Sequence, residues 1–339
     1  MSGGVDSSVA AALLLKKYPA CTGVTLKLCP SPGDNTIDAK RAADRLGIPH
    51  KVLDFRDHFD KLVIRPFIAT WENGATPNPC VICNRYVKFN FLLYEAEGLQ
   101  FDLFCTGHYA QTERSGSRLL LKKAADRKKD QSYVLYGLSQ AQLLRCFFPL
   151  GTILKEEVRK LAEEAGFENA GKEDSQDICF VPDGDYGAFM EEYAGKRYPP
   201  GDILDEAGKV IGRHKGHVRY TLGQRRGLGV ALNDPVYVCN KDAALNTITL
   251  GPESALYSKT LTAQNINLIT CESLENPIRV TVKTRYLQKE SPALARQTGE
   301  DEIRIEFDEP QRAVTPGQSA VLYDGDYVVG GGIIKEAGV

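Results

Sequence analysis

The sequence predicts an α/β protein in which a helix-covered parallel sheet is followed by two small, mainly-β domains, the last a β-barrel. Three observations support this fold class. Short apolar runs alternate with helical patterns through the first half of the chain. Helical periodicity fades beyond about residue 200. Short strand-like runs separated by turn residues then follow one another, as in small β-barrels.

The first half shows the alternation most clearly. Strand patterns occur at "CTGVTLKL" (21–28), "HKVLDF" (50–55) and "FDLFCTG" (101–107). Helical patterns occur at "DAKRAADRLG" (38–47), "NRYVKFNFLLYEAEG" (84–98) and "KEEVRKLAEEAG" (155–166). This order is typical of parallel strands joined by crossover helices.

The second half predicts strands and two breaks. The strand patterns are "PVYVCN" (235–240), "NTITLG" (246–251), "IRVTVKTRY" (278–286), "DEIRIEF" (301–307), "SAVLYD" (319–324) and "YVVGGGII" (327–334). "YPPGDI" (198–203) and "GPESALYSKT" (251–260) are candidate linkers. We therefore predict domains at residues 1–197, 198–256 and 257–339.

Composition limits the location and the partners. The 339 residues are 42% hydrophobic and carry a net charge of −2. The apolar run "VAAALLL" (9–15) is far shorter than the ~20 residues that span a bilayer, and no basic region precedes it as in a signal peptide. We expect a cytoplasmic protein without a membrane partner, whose nine cysteines are thiols.

A nucleic-acid contact would have to come from local basic patches, because the net charge is slightly negative. One basic stretch lies between residues 213 and 226, where no acidic residue occurs. It fits a phosphate-backbone contact, although it could also be a solvated loop. Its basic residues are Arg213, His214, Lys215, His217, Arg219, Arg225 and Arg226.

The chain opens on a glycine-rich loop, "SGGVDSS" (2–8), before a helical pattern. Backbone N–H groups and the helix dipole at such a start can bind an anion. A Walker A loop would supply a lysine, whereas this loop offers Asp6, Ser7 and Ser8. The loop therefore suits a pyrophosphate better than γ-phosphoryl transfer. Alternatively, it is a glycine turn in which Asp6 or Ser7 caps the helix.

Two cysteine motifs could carry chemistry. Cys80 and Cys83 form a C-x-x-C in "PNPCVICNRY" (77–86), and Cys179 lies in "KEDSQDICFVP" (172–182), close in sequence to Asp174 and Asp177. No second cysteine or histidine pair completes a zinc site. Redox or nucleophilic chemistry remains open, because Cys83 precedes a helical pattern. Taken alone, Cys179 reads as a core or loop cysteine.

The ordered motifs together resemble the tRNA-specific 2-thiouridylase family, over residues 1 to about 335. They are "SGGVDSS", "TPNPCVICN", "TGHYA", "KKDQSYVLYGLS", "DSQDICF", "YTLGQRRGLG", "VKTRY" and "VTPGQSAVLYDGD". The resemblance implies that the first domain is a PP-loop domain, with the adenine nucleotide α-hydrolase-like fold. It also implies an ATP-dependent enzyme that adenylates the wobble uridine of tRNA and transfers sulfur to carbon 2. An apolar strand normally precedes the loop in this family, and none precedes it here.

The resemblance also implies residue roles. Cys83 is the expected nucleophile, Cys179 the expected persulfide carrier, and a separate sulfur donor is required. ATP, with Mg²⁺, would be bound by Ser2, Gly3, Gly4, Val5, Asp6, Ser7, Leu26 and Gly107. The target base would lie near Asn78, Pro79 and Cys80. The tRNA contacts would be His108, Lys129, Asp130, Gln131, Arg285, Tyr286 and Gln318.

Three alternatives remain open from the sequence. Commonly described members have an aspartate at the position of Cys80, so Cys80, Cys83 and Cys179 could instead ligate a 4Fe–4S cluster with one open iron. A small-molecule synthetase would share the ATP loop but would not need these cysteines. A catalytically impaired tRNA-binding protein is the third reading, motivated by the absent strand before the loop.

Overall fold

The computed structural model describes residues 1–29, 35–90, 101–172, 178–230 and 234–338. The α-helices are α1 Val5–Lys17, α2 Asn35–Leu46, α3 Arg56–Phe59, α4 Arg65–Glu72, α5 Pro79–Cys83, α6 Ser132–Leu135, α7 Gln140–Leu144, α8 Lys155–Glu164 and α9 Tyr186–Ala194. Two π-helical turns, Asp60–Ile64 and Asn84–Lys88, follow α3 and α5. Among the described residues, 3₁₀ turns span His217–Arg219 and Glu253–Leu256.

The strands separate into an early, a middle and a last set. The early strands are β1 Gly23–Lys27, β2 His50–Asp54, β3 Phe104–Cys105, β4 Ala110–Ser115, β5 Arg118–Lys123 and β6 Cys146–Phe147. The middle strands are β7 Gly201–Leu204, β8 Val210–His214, β9 Tyr237–Asp242 and β10 Thr247–Gly251. The last strands are β11 Tyr257–Leu268, β12 Ile278–Lys283, β13 Ser291–Gly299, β14 Glu302–Arg312, β15 Ser319–Asp324 and β16 Tyr327–Gly338.

The early strands confirm the predicted α/β character. β1 pairs with β2 in parallel, and β3 pairs with β6 in parallel. Helices α1 and α8 pack together through a buried cluster that includes Val9, Tyr109 and Val158. Parallel strands bring their carboxyl ends to one edge, which is where α/β proteins place their ligands. The segments after β1 and β3 are therefore the natural place to look for a site.

The hairpin of β4 and β5 belongs by sequence to the first predicted domain, but it pairs with strands of the last one. It is antiparallel and joins the sheet of the last strands, where Lys122 pairs with Tyr327 of β16. Lys123 Nζ donates to the Gly325 carbonyl at 2.8 Å, and Arg127 pairs with Asp326 at 2.7 Å. The first and last parts of the chain thus share one sheet.

The middle strands form a four-stranded sheet in the order β8-β7-β10-β9. Its core contains Ile203, Tyr220 and Ile248. The predicted linker 198–203 is too long, because β7 already begins at Gly201. The Gly201 backbone lies so close to the Asn246 carbonyl that a Cβ would meet that oxygen at 1.9 Å. The second predicted break, 251–260, likewise ends inside β11.

The last six strands close into a barrel, as predicted. Their order is β11-β14-β13-β12-β15-β16, and β11 also pairs with β16. Inward residues alternate along β14, where Ile303, Ile305 and Phe307 are buried. The predicted strand 278–286 ends earlier, at Lys283, because the chain then turns.

Two predictions concern other parts of the chain. The predicted helix 84–98 begins with the π-helical turn Asn84–Lys88, while residues 91–98 lie outside the described residues. Asp174 and Asp177 also lie outside them. Within the described ranges, none of the helices has the length and apolar character needed to cross a membrane.

Candidate active site between the glycine loop and the cysteines

The glycine loop leaves the first turn of α1 open. Gly3 adopts φ 74°, a conformation that favours glycine. Gly4 is the N-cap residue and provides no side-chain cap. Ser7 Oγ instead accepts from the Ser2 N–H at 3.1 Å and donates to the Gly4 carbonyl at 2.9 Å. The capping alternative is therefore not what forms, and the turn keeps the character of an anion site.

The fold brings a lysine to the loop that lacks one. Lys155, the first residue of α8, places its Nζ 2.7 Å from Asp6 Oδ1, although 149 residues separate them. The Tyr109 hydroxyl donates to the same oxygen at 2.8 Å. Lys155 is buried and Asp6 is partly exposed. A cation thus lies beside the start of α1 after all.

The two other predicted ATP residues lie on either side of this region. Gly107 follows β3, and its backbone packs against α1 so closely that a Cβ would meet Asp6 C at 2.7 Å and Ser7 N at 2.8 Å. Leu26, in β1, packs against the buried cluster that contains Cys83. Gly107 therefore lies against the glycine loop, whereas Leu26 lies against the cluster of Cys83.

The C-x-x-C motif forms the short helix α5. Asn78 caps it by accepting from the Val81 N–H at 3.4 Å, and Pro79 begins it. Cys80 is exposed, whereas Cys83 is buried. The π-helical turn Asn84–Lys88 follows at once and closes with the Phe89 N–H donating to the Asn84 carbonyl at 3.1 Å.

Lys88 is the cation shared by the three site cysteines. Burial alone would lower the pKa of Lys88, but the neighbouring Cys83, Cys80 and Cys179 raise it above its usual value. Burial raises the pKa of Cys83 to about 12, against the opposing charge of Lys88. Desolvation by the surrounding protein also raises the pKa of Cys80, although the residue keeps an exposed surface. Both shifts favour the protonated thiol over the thiolate.

Cys179 behaves differently. Its thiol accepts a hydrogen bond from Cys29, which lowers the pKa of Cys179 to about 7, with further help from Lys88 and from backbone N–H groups. Burial acts in the opposite direction. The same hydrogen bond raises the pKa of Cys29 far above its usual value. Cys29 follows β1, and its Sγ lies 3.9 Å from the Cys179 carbonyl. Cys179 is thus the most acidic site thiol.

His108 sits beside this cluster as a neutral imidazole. Burial, together with the Lys88 charge, lowers the pKa of His108 to about 3. Thr106 Oγ1 lies 2.9 Å from His108 Nδ1, and the Phe89 ring centroid is 5.5 Å from that of His108. A histidine held this way can donate or accept one hydrogen bond without adding charge.

Three further predicted tRNA positions, residues 129–131, lie in one segment, and hydrogen bonds hold this segment in place. Gln131 Oε1 accepts from the Tyr109 N–H at 2.9 Å. The buried Asp130 carboxylate accepts from the Ala124 N–H at 2.9 Å and from Ser132 Oγ at 2.7 Å. Lys129, just before it, is partly buried. These bonds fix the backbone of the segment, so the Asp130 carboxylate binds groups of its own chain.

Arg285 and Gln318 connect the barrel to the other domains. Arg285 Nη2 donates to the Leu222 carbonyl at 3.1 Å and to Thr315 Oγ1 at 2.6 Å. Gln318 Nε2 donates to the carbonyls of Thr76 and Pro77, at 3.0 and 3.1 Å. Those two residues lead directly into Asn78, so the barrel fixes the approach to the cysteine helix.

The predicted basic stretch is only partly a surface. His214 Nε2 lies 2.9 Å from the Asn246 carbonyl, and His217 Nε2 lies 3.1 Å from the Glu72 carbonyl. Arg219 pairs with two carboxylates, Asp185 and Glu191. The exposed members are Arg213, Lys215, Arg225 and Arg226.

A metal site is the remaining alternative for the three cysteines. Cys80, Cys83 and Cys179 are all described, yet no group of three or more histidine, cysteine or acidic residues in the described ranges is arranged to hold a metal ion. The arrangement does not fit a cluster with three protein thiolates. The iron–sulfur hypothesis stays a prediction without support from this geometry.

The sequence patterns did not indicate three residues of the site: Cys29, Lys88 and Lys155. A helical pattern gives no sign that Lys88 lies near the cysteines, since five residues do not return to the same face of an α-helix. Cys29 stands 150 residues from Cys179. The only available sequence signal was the position of Cys29 directly after a predicted strand.

Comparisons with known proteins agree with this architecture. Residues 1–183 match the family model "tRNA methyl transferase HUP domain", residues 187–252 "tRNA methyl transferase PRC-barrel domain" and residues 258–334 "Aminomethyltransferase beta-barrel domain". The class is therefore a three-part protein with an ATP-binding HUP domain at its start.

Relatives of known name identify the family within this class. The chain is 47% identical to the tRNA-specific 2-thiouridylase MnmA of Acetivibrio thermocellus, covering 99% of this chain and 98% of the relative. It is 45% identical to the protein of the same name from Clostridioides difficile, covering 99% and 97%. The chain belongs to the tRNA-specific 2-thiouridylase family.

Proposed function

We propose that this protein is an ATP-dependent tRNA-uridine 2-sulfurtransferase that converts the wobble uridine of tRNA to 2-thiouridine. The observation that carries the proposal is the grouping of Cys83 and Cys179 around Lys88, whose charge also acts on His108, the residue after the Gly107 that packs against the ATP loop. A buried thiol and an acidic, exposed thiol sharing one cation suit a sulfur transfer that needs two cysteines.

The ATP side of the reaction rests on the loop. The open first turn of α1, with Gly3, Gly4 and Ser7, would hold the phosphates, and Mg²⁺ would accompany ATP. Lys155 would supply positive charge beside them. ATP activates the carbon-2 oxygen of the uridine by adenylation, with release of pyrophosphate.

The sulfur side follows from the two thiols. The Cys179 thiolate attacks the outer sulfur of a persulfide-carrying donor protein, so that Cys179 becomes a persulfide and the donor leaves as a thiol. Inorganic sulfide would load Cys179 only by opening a Cys83–Cys179 disulfide, which supplies the two oxidising equivalents and releases the Cys83 thiolate. The terminal sulfur attacks carbon 2, and AMP leaves with the former oxygen. Cys83 then attacks the inner sulfur of Cys179, so that a Cys83–Cys179 disulfide forms and the terminal sulfur stays on the uridine. An external thiol reductant restores both cysteines, in keeping with the reducing cytoplasm that we propose as the location.

RNA binding is assigned to the predicted tRNA positions and the exposed basic residues. Tyr286 packs against the buried cluster that contains Val81 of the cysteine helix, and Gln318 donates to the two residues before Asn78. Arg285 adjoins Tyr286 in the chain. Arg225 and Arg226 are exposed and belong to the middle one of the domains 1–197, 198–256 and 257–339 that we propose. Long-range attraction from exposed arginines orients the phosphate backbone. The wobble base must leave its stack to reach the thiols, as in other enzymes that act on bases.

The test compares Cys83→Ser and Cys179→Ser with Cys271→Ser, a barrel cysteine outside the site. We expect tRNA-dependent pyrophosphate release in all three and 2-thiouridine only in the Cys271→Ser protein. 2-Thiouridine made by Cys179→Ser would contradict the proposal. Pyrophosphate release that needs a metabolite instead of tRNA would favour a small-molecule synthetase, and tRNA binding without ATP binding would favour an impaired enzyme.

Iron and acid-labile sulfide, measured after anaerobic purification, test the remaining cofactor hypothesis. The geometry leads us to expect neither at stoichiometric amounts. Stoichiometric iron that is lost in Cys80→Ala would replace the persulfide route with cluster chemistry.

A further inference from the structure

Leu287 is the most exposed large hydrophobic residue in the described part of the chain, at 90%. Single exposed leucines are ordinary on protein surfaces. Leu245, at 73% in the turn between β9 and β10, is an example. Leu287 differs from Leu245 in where it lies.

The turn that carries Leu287 is fixed at both ends. The Gln288 N–H donates to the Arg285 carbonyl at 3.2 Å, which closes a turn with Leu287 as its third residue. Arg285 is held by Thr315 Oγ1 at 2.6 Å. Gln288 Oε1 accepts from Thr284 Oγ1 at 2.5 Å. The turn therefore has little conformational freedom and holds the apolar side chain of Leu287 in solvent.

The same turn borders the cysteine helix. The Tyr286 hydroxyl donates to the Asp130 carbonyl at 3.2 Å, and its ring lies 5.8 Å from that of Tyr133. Tyr286 also packs against the buried cluster that contains Tyr133 and Val81, the residue between Cys80 and Cys83 in the cysteine helix. Leu287 thus stands at the rim of the site, with the exposed Lys289 two residues further on.

We infer that Leu287 is an RNA-positioning residue that inserts into the anticodon-loop stack at the place which the extruded uridine leaves. The inference rests on the proposed function. A base that is to be modified must be unstacked, and proteins that unstack nucleic acid use apolar side chains as wedges. Lys289 would contact the adjoining phosphate.

The experiment uses an anticodon stem-loop RNA in which 2-aminopurine replaces the base next to the target uridine. Binding of the full-length protein should raise its fluorescence, because the neighbouring base loses its stacking partner. Leu287→Ala should reduce this rise strongly and lower kcat/KM for thiolation about tenfold. Leu287→Met, which keeps an apolar side chain, should retain most of both. Leu245→Ala is the matched control and should equal the parent.

Two outcomes would overturn the inference: no fluorescence rise in the parent protein, or an equal rise and equal kcat/KM in Leu287→Ala. A merely structural role would lower thermal stability in Leu287→Ala, which we expect to match the parent. Should the parent raise fluorescence but make no 2-thiouridine on intact tRNA, the proposed function would fail while the wedge would stand.

Discussion

Lys88 follows Cys83 by five residues, and the π-helical turn Asn84–Lys88 brings its charge to bear on the Cys83 thiol. In an α-helix of about 3.6 residues per turn, these two side chains would diverge. Hydrogen bonds from residue i to i+5 widen the turn and return the fifth residue to the same side. The rare geometry therefore supplies the site with its cation.

Replacing Lys88 should impair sulfur transfer. In Lys88→Met the thiols of Cys83 and Cys179 lose a neighbouring positive charge, so their pKa values rise and less thiolate exists at pH 7. We expect about a tenfold lower rate of 2-thiouridine formation for each unit of pKa gained, partly recovered at pH 9. Lys61→Met, on the other π-helical turn, is the exposed control. Equal rates in both variants would refute the role of Lys88.

Alkylation should reveal Cys179 as the acidic thiol. Only the thiolate reacts with iodoacetamide, so the rate at Cys179 should rise with pH through a midpoint of about 7. Cys83, with its pKa raised to about 12, should stay nearly unreactive in that range. Cys29→Ala removes the hydrogen-bond donor and should move the Cys179 midpoint upward. Cys29→Ser keeps a donor and should move it less; mass spectrometry of labelled peptides at several pH values measures both.

Gly107 should tolerate no side chain. In Gly107→Ala the new Cβ would meet backbone atoms of Asp6 and Ser7 within 3 Å, and backbone cannot move aside cheaply. We expect a loss of about 1–3 kcal/mol in the free energy of unfolding and weaker ATP binding. Gly171→Ala, where a Cβ meets nothing within 4 Å, is the control. Calorimetric ATP titrations and urea unfolding of both variants provide the measurement; unchanged ATP affinity in Gly107→Ala would contradict the assignment.

Lys155 should matter for both stability and ATP. Lys155→Met leaves the Asp6 carboxylate with the Tyr109 hydroxyl but without its cation. Because Asp6 is partly exposed, water recovers some of the loss, and we expect about 1–3 kcal/mol less stability. ATP affinity should fall as well, since positive charge beside the phosphates is lost. Lys160→Met, exposed on the same helix, should change neither quantity. Parent-like ATP affinity in Lys155→Met would show that this lysine serves Asp6 alone.

Much of the architecture was predictable because it depends on local patterns of the sequence. Alternating burial along β14 follows the two-residue period of a strand, and the start of α1 follows its glycines and hydroxyl residues. The boundaries were less accurate. The strand 278–286 stopped at Lys283, and the linker at 198–203 contained the start of β7, because tertiary contacts of the Arg285 turn and of Gly201 set those ends.

The sequence by itself determined the family, the mixed α/β and β-barrel architecture, and the candidate cysteines, since these depend on short ordered motifs and on hydrophobic periodicity. Only the tertiary structure decided that Cys29 meets Cys179, that Lys155 meets Asp6, and that the β4–β5 hairpin joins the barrel sheet. The physical reason is distance along the chain. Charge and hydrogen-bond contacts act over a few ångströms, and only the folded path brings residues about 150 positions apart within that reach.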